Sequence, residues 1–327
     1  MRLNHRMELR TIQPHERDAV LDLLAEWYED RSFFARYLEH DPAFRPDLCF
    51  VAVDGGRFVS TLQVFRKDIR VRGTTLTVAG VGNVFTTEAA REHGLASQLL
   101  RLALERLADS EFDLSALFAT RLNFYGGLGW QGHRRFFEYL LPTGAIDAGN
   151  NVEIRPFRDD DLPAVMRLYD EINSDRSGTT LRDETYWRGQ LRYAGNPAEE
   201  FLLARRDDRL LAYARATSLY DLEVLMEHGW LPGEPDALVA LIEQLLGRRP
   251  GAGLLTQLSH EPEIRQRLES RQIGANRVED YFWMWRVLAP ERVAARLGLT
   301  LAEVEAEDFF ERLLPPETSV YWLADRF

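Results

Sequence analysis

The sequence holds one cysteine in 327 residues. Cys49 has no partner for an internal disulfide, and its apolar, strand-like surroundings read as those of a buried small hydrophobe, not a nucleophile. No apolar run approaches the roughly 18 residues that a bilayer crossing needs, and Met1 to Met7 is polar where a secretory signal would be apolar. These absences predict a cytoplasmic protein with no membrane partner. Basic residues are the minority: 40 Lys and Arg against 52 Asp and Glu leave a net charge of −12. That balance argues against a grip on nucleic acid and favours a cationic small-molecule partner, with homo-oligomerisation left open. The seven histidines, among them His133, His228 and His260, show no ligand spacing with a second His or Cys, so no metal is expected.

What is present is ordinary globular material, 45% hydrophobic and 28% charged, in a chain long enough for about two domains. The chain also repeats itself. Glu8-Leu9-Arg10 returns as Glu153-Ile154-Arg155, Ala19-Val20 as Ala164-Val165, Leu23 as Leu168, and Asp30-Arg31-Ser32 as Asp175-Arg176-Ser177, all at an offset of 145. Further on, the apolar runs Phe58 to Val64 and Leu210 to Ala216 correspond at an offset of about 152, which a short insertion in the second copy explains.

Each copy reads as strand, helix, two strands, a further strand, an amphipathic helix, a strand, a helix and a last strand. This predicts a mixed α+β class, each copy a mostly antiparallel sheet with helices on both faces. The expected boundaries are 1–142 for the first domain, 150–287 for the second and 288–327 for a tail, with Pro142 to Asn151 as linker. In the tail, helical patterns are expected around Ala289 to Leu297 and over Leu301 to Leu314. Tyr281, Phe282, Trp283 and Trp285 are expected to pack as a core strand.

The sharpest chemical signal follows the β-rich run Thr75 to Thr87. Ala96, Leu99, Leu100, Ala103 and Leu107 form one apolar stripe at helical spacing, so a strand turns almost directly into a helix there. Such a junction leaves first-turn N–H groups unpaired at the positive end of the helix dipole, a ready anion site. Gly94 and Ala96 let a pyrophosphate approach the backbone closely, and Arg91 adds charge from the side. His93, inside the same turn, is expected to offer its N–H and not a catalytic base.

Arg91-x-x-Gly94-x-Ala96 resembles the acetyl-CoA pyrophosphate loop of the GNAT superfamily of N-acetyltransferases. Phe124-Tyr125-x-x-Leu128-Gly129-Trp130 resembles that superfamily's second hallmark. The tandem copy, the long hairpin from Leu62 to Val78 and the aromatic last residue further resemble the enhanced-intracellular-survival type, which acetylates aminoglycosides and other polyamines. Members of that type carry a third, sterol-carrier-protein-like domain; the short tail here would make a shortened relative. Glu92 departs from the commonest loop, where a basic or small residue is more usual.

The resemblance implies an acetyl-CoA-dependent N-acetyltransferase that transfers acetyl directly to a primary amine. Acetyl-CoA would be held by Val84, Phe85 and Thr86 on the strand and by Arg91, Glu92, His93, Gly94, Leu95, Ala96 and Ser97 at the helix start. Tyr125 would be the general acid, and the terminal carboxylate of Phe327 the base, since Thr74 to Thr87 contains no Asp or Glu. An alkyl amine with a pKa near ~10.4 is almost wholly protonated at pH 7, so freeing it costs roughly 4 to 5 kcal/mol and a base is wanted. Glu26, Trp27 and Asp30, where the superfamily shapes its acceptor pocket, would hold a cationic amine. The second copy lacks the loop: Glu234 and Asp236 at its helix start would satisfy the dipole and repel a pyrophosphate, which predicts a non-catalytic scaffold that walls the acceptor pocket. The rival functions are acetylation of a protein lysine or N-terminus, and a non-catalytic acyl-CoA-binding module.

Overall fold

The computed structural model describes residues 7–28, 31–144, 152–193, 199–219, 222–248, 251–258 and 260–327. The first half runs β1 (Glu8–Thr11), α1 (Arg17–Tyr28), α2 (Arg31–His40), β2 (Cys49–Asp54), β3 (Arg57–Val71), β4 (Thr74–Thr86), α3 (Leu95–Ala108), β5 (Leu114–Phe118), α4 (Leu122–Gly126) and β6 (Gln131–Pro142). The second half repeats that order as β7 (Glu153–Pro156), α5 (Leu162–Asn173), α6 (Glu184–Tyr193), β8 (Glu200–Arg206), β9 (Arg209–Leu219), β10 (Leu222–Trp230), α7 (Pro235–Arg248), β11 (Leu254–Thr256), α8 (Pro262–Ser270) and β12 (Ile273–Val287). The offset of 145 read from the sequence holds from β1 to β7 and from α1 to α5. Residues 145–151 of the expected linker lie outside the described residues.

All twelve strands join one sheet in the order β1-β2-β3-β4-β5-β12-β6-β11-β10-β9-β8-β7. Only β4 with β5 and β10 with β11 are parallel; every other neighbour is antiparallel. The last strands are exchanged between the halves. β12 sits beside β5 of the first half, β6 sits beside β11 of the second, and the two pair along Ile273–Trp285.

In the first half, α1 and α2 bury Leu24, Phe34 and Leu38 against one face of the sheet, while α3 buries Leu95, Leu99, Leu100, Ala103 and Leu107 on the other. The second half repeats this with α5 and α6 on one face and α7 and α8 on the other. The apolar stripe of α3 is thus a core face, and burial of such a side chain contributes about 1.5 to 3 kcal/mol.

The tail departs from the expected pattern. After α9 (Pro290–Leu297), the second helical stretch splits into α10 (Leu301–Val304) and α11 (Phe309–Leu313), because a turn at residues 305–308 intervenes. Phe309, Phe310, Leu313 and Tyr321 then pack on the β3–β4 hairpin and on Trp285 of β12. The aromatic run on β12 is only half core. The strand shifts register between Asp280 and Trp283, so Trp283 and Trp285 point inward while Tyr281 and Phe282 stay exposed.

Candidate active site

The site begins where β4 leaves β5. The two strands pair only from Val78 with Leu114 to Val81 with Leu117, so Gly82–Thr86 has no recorded partner on that edge among the described residues. On its other edge β4 carries a bulge. Thr61 pairs with Phe85 and Gln63 with Gly82, leaving Asn83 and Val84 opposite Leu62 alone, and Asn83 takes a φ of 52° to do so. The parting strands leave a wedge that ends at the start of α3.

Gly94 begins that helix with φ 68° and no side-chain cap, so the first-turn amides of Leu95, Ala96 and Ser97 are left for another acceptor. A Cβ on Gly94 would meet only the Gln98 side chain, at 3.9 Å, which makes the turn an open cradle. Glu92 also has a positive φ, 67°. A cleft of about 690 Å³ lies over this turn, and its walls include Val84, Phe85, Thr86, Arg91, Glu92, Gly94, Leu95, Ala96 and Ser97. His93 is exposed outside those walls and spends its carbonyl on the Gln98 side chain at 3.1 Å. The cradle fits a pyrophosphate on three counts: unpaired amides at a helix start, room for close approach, and the Arg91 guanidinium at the edge.

A second cavity, of about 280 Å³, lies beyond the wedge. Val84 and Tyr125 line both spaces and so stand at their junction. Tyr125 is set there by α4: its ring meets Phe124 edge-on at 4.9 Å and Trp130 at 6.2 Å, and its carbonyl accepts from the Leu128 and Trp130 amides. Phe327 lines the second cavity as well. Its ring and main chain lie where Cβ atoms on Gly80 and Gly82 would stand, 2.7 Å and 3.2 Å away, so these two glycines make the seat for the chain's last residue.

The tail is fastened to the second half. Asp325 is wholly buried and accepts from Arg182 Nε at 3.1 Å and Nη2 at 2.7 Å, from Tyr186 Oη at 2.9 Å and from Gln190 Nε2 at 3.2 Å. Burial alone would raise its pKa, but the facing Arg182 guanidinium holds the carboxyl below the ordinary range. Arg182 also donates to Glu227 at 2.6 Å, and the loop before it is stitched to β3 through Arg70 N to Thr179 O and Leu181 N to Asp68 O. Lys67 of β3 donates to Tyr186 Oη at 2.7 Å in the same interior, where burial pushes its ammonium pKa down. Hairpin, loop, ion pair and tail thus form one chain of contacts ending at Gly82.

The other sequence candidates separate here. Trp27 lies in the long cleft under Arg91, 5.3 Å from ring to guanidinium, and not in the second cavity where an acceptor role would put it. Glu26 is exposed and lines neither space, because α1 turns that side chain to solvent. Asp30 lies outside the described residues. Arg121 also stands at the cleft wall, a functional position whose signal in the sequence is a basic residue just before the Phe124-Tyr125 motif. Cys49 is buried, and desolvation pushes its thiol up to about 12, which removes it as a nucleophile.

Residues 8–132 match the model of the acetyltransferase (GNAT) domain. The chain is therefore an acyltransferase, of a fold that uses acyl-CoA. Comparison with curated proteins found no match. Among solved structures, the chain is similar to a GCN5-related N-acetyltransferase from Kribbella flavida: 17% identity, 89% of this chain and 74% of that one covered, TM-score 0.67. It is also similar to Eis1 from Mycobacterium abscessus, at 15% identity over 89% and 76% of the chains with TM-score 0.56. A third is Saccharomyces cerevisiae N-myristoyltransferase with bound myristoyl-CoA, at 13% identity over 88% and 80% with TM-score 0.57. At such identities the likeness is one of fold. No helix among the described residues is long and apolar enough to cross a membrane.

Proposed function

We propose that the protein is a cytoplasmic, acetyl-CoA-dependent N-acetyltransferase that transfers acetyl directly to a primary amine of a small cationic molecule. Residues 1–142 would carry the catalytic site, 150–287 a non-catalytic scaffold and 288–327 the tail that completes the site. One observation carries the reading: Val84 and Tyr125 stand where a cleft ending on a bare helix start meets a second cavity. A two-substrate transfer needs such a junction, because the acyl donor and the acceptor must enter from different sides and meet at one atom.

Acetyl-CoA supplies the activated acyl group when bound. Arg91 and the amides of Leu95, Ala96 and Ser97 would hold its pyrophosphate, and the unpaired edge of β4 at Val84, Phe85 and Thr86 would offer amides to a developing oxyanion. The Tyr125 phenol would give its proton to the departing thiolate. Where Phe327 ends the chain, its carboxylate, seated against Gly82, would take the amine's proton. No side-chain carboxylate lines the second cavity among the described residues, which disfavours a polyamine- or aminoglycoside-like acceptor there.

Tyr125→Phe tests the reading against a non-catalytic acyl-CoA-binding module. The expected result is an unchanged acetyl-CoA affinity by calorimetry with turnover lowered about a hundredfold or more, a hundredfold being the low end of the range for losing a general acid. Unchanged turnover removes Tyr125 from the chemistry. A protein-lysine acceptor would instead show as faster acetylation of a lysine peptide than of any small amine.

A further inference from the structure

The second cavity is lined by side chains from both halves and the tail, mostly aromatic and aliphatic, with Asn83, Thr217 and the hydroxyls of Tyr37 and Tyr125 as its uncharged polar groups. Phe33 and Tyr37 come from α2, Phe65 and Phe118 from β3 and β5, and Val224 and Met226 from β10. Its only charged side chain among the described residues is Arg326, a cation. We infer that the acceptor is a compact monoamine carrying a single aromatic ring on a short tether, its ring held in this cavity and its amine directed at Tyr125. The inference deepens the proposed acetyl transfer and rests on it.

Three arguments favour this occupant. The first is size: about 280 Å³ compares with the roughly 150 Å³ engineered cavity that takes up benzene, leaving room for one ring and a short chain but not for several sugar rings. The second is charge. A single ammonium can meet the Phe327 carboxylate and the aromatic faces, whereas the further ammonium groups of a polyamine would be desolvated beside Arg326 with no side-chain carboxylate to meet them. The third is the reaction itself. An apolar wall disfavours the charged form of a bound amine and lowers its pKa, which lightens the deprotonation that attack on a thioester requires. A longer acyl chain on the donor would compete for the same space, yet it would leave the acceptor nowhere to stand beside Tyr125.

The experiment uses the full chain and follows free thiol released from acetyl-CoA with 2-phenylethylamine, spermidine, an aminoglycoside and a lysine peptide, and repeats the first with octanoyl-CoA. The expected kcat/KM for 2-phenylethylamine exceeds that for spermidine and the aminoglycoside at least tenfold, and octanoyl-CoA is the poorer donor. Equal or faster turnover of spermidine or the aminoglycoside overturns the inference and leaves acetyl transfer standing; so does a preference for octanoyl-CoA. Phe33→Glu adds a carboxylate at the cavity rim, on a side chain already 39% exposed, so the fold is not at stake. It should lower kcat/KM for 2-phenylethylamine about tenfold with acetyl-CoA affinity unchanged, and no effect counts against the cavity as the acceptor's seat. If no amine releases thiol, calorimetry of 2-phenylethylamine with the CoA-saturated protein decides: absence of binding overturns the inference. Failure of acetyl-CoA to bind is the separate failure of the proposed function.

Discussion

The two halves follow one backbone plan up to the place where strand becomes helix, and there they part. In the first half, β4 leads through Arg91 to Gly94, and α3 starts with no side chain over its amides. In the second, β10 leads to Glu234, whose carboxylate is held by both Arg206 Nη atoms at 2.8 and 3.1 Å just before α7 opens on Pro235 and Asp236. The wedge beside the strand differs too. Beyond Val81 and Leu117 the first wedge stays open, with Tyr125 at its inner end. In the second, β10 and β11 pair only at Glu223 and Val224 among the described residues, but His228 Nε2 then donates to Gln257 O across the gap at 3.0 Å, and Trp322 of the tail closes over the ring at 4.8 Å. The same strand-turn-helix unit is therefore an anion cradle or a closed support according to a few side chains. The half without a cradle holds the tail whose last residue is seated against Gly80 and Gly82 of the first half.

The largest way to break this division of labour is to cut the tail loose. Asp325→Ala leaves the guanidinium of Arg182 buried with one carboxylate fewer, and losing one partner of a buried pair costs about 3 to 5 kcal/mol. Urea unfolding should show that loss. Acetyl-CoA affinity should hold while kcat falls, because Asp325 sets the position of Phe327 and does not touch the donor cleft. Equal losses in donor affinity and kcat would mean that the tail supports the whole fold and does not position the site.

The next test gives the first cradle the charge of the second. Ala96→Glu places a carboxylate in the first turn of α3, where the dipole favours it, so stability should not drop. The anion site would then be self-filled, and acetyl-CoA affinity should fall about a hundredfold, about 2.7 kcal/mol, by calorimetry. An unchanged affinity would place the donor elsewhere.

How much of this contrast was legible follows from how local each feature is. The α3 stripe from Ala96 to Leu107 and the turn at Arg91 and Gly94 declare themselves within a few residues, through helical spacing and the absence of side chains. So did the repeat, because β1 and α1 recur as β7 and α5 at one offset. The exchange of β6 and β12 did not. Each reads as the last strand of its own half, and an alternating pattern says which face is buried without saying which neighbour it pairs with. Arg182 and Asp325 lie 143 residues apart, and nothing near either one announces the other. Trp27 was legible as part of an aromatic-acidic helix end; its direction, toward Arg91 and the donor cleft, is set by the turn of α1 over Phe85.

The smallest expected effect sharpens the comparison through pH. Burial lowers the pKa of His228, in the closed second wedge, to about 3, and that of His133, on β6, to about 4. Both depart from an unfolded value near ~6.5. Above that value neither state binds the proton, so the neutral rings leave stability at its full level. As pH falls below it, the unfolded chain takes up protons that the folded rings refuse, and stability is lost progressively down to the folded values. From pH 7.5 to pH 5.5 this amounts to about 1 kcal/mol for each ring, given ~1.4 kcal/mol per unit. The urea midpoint should therefore drop over that range, and His228→Asn, which keeps a donor near Gln257 O without a titrating ring, should drop less. A variant that loses as much as the parent would show that the second wedge is not held shut by a neutral imidazole, and the contrast between an open and a sealed wedge would then rest on Trp322 alone.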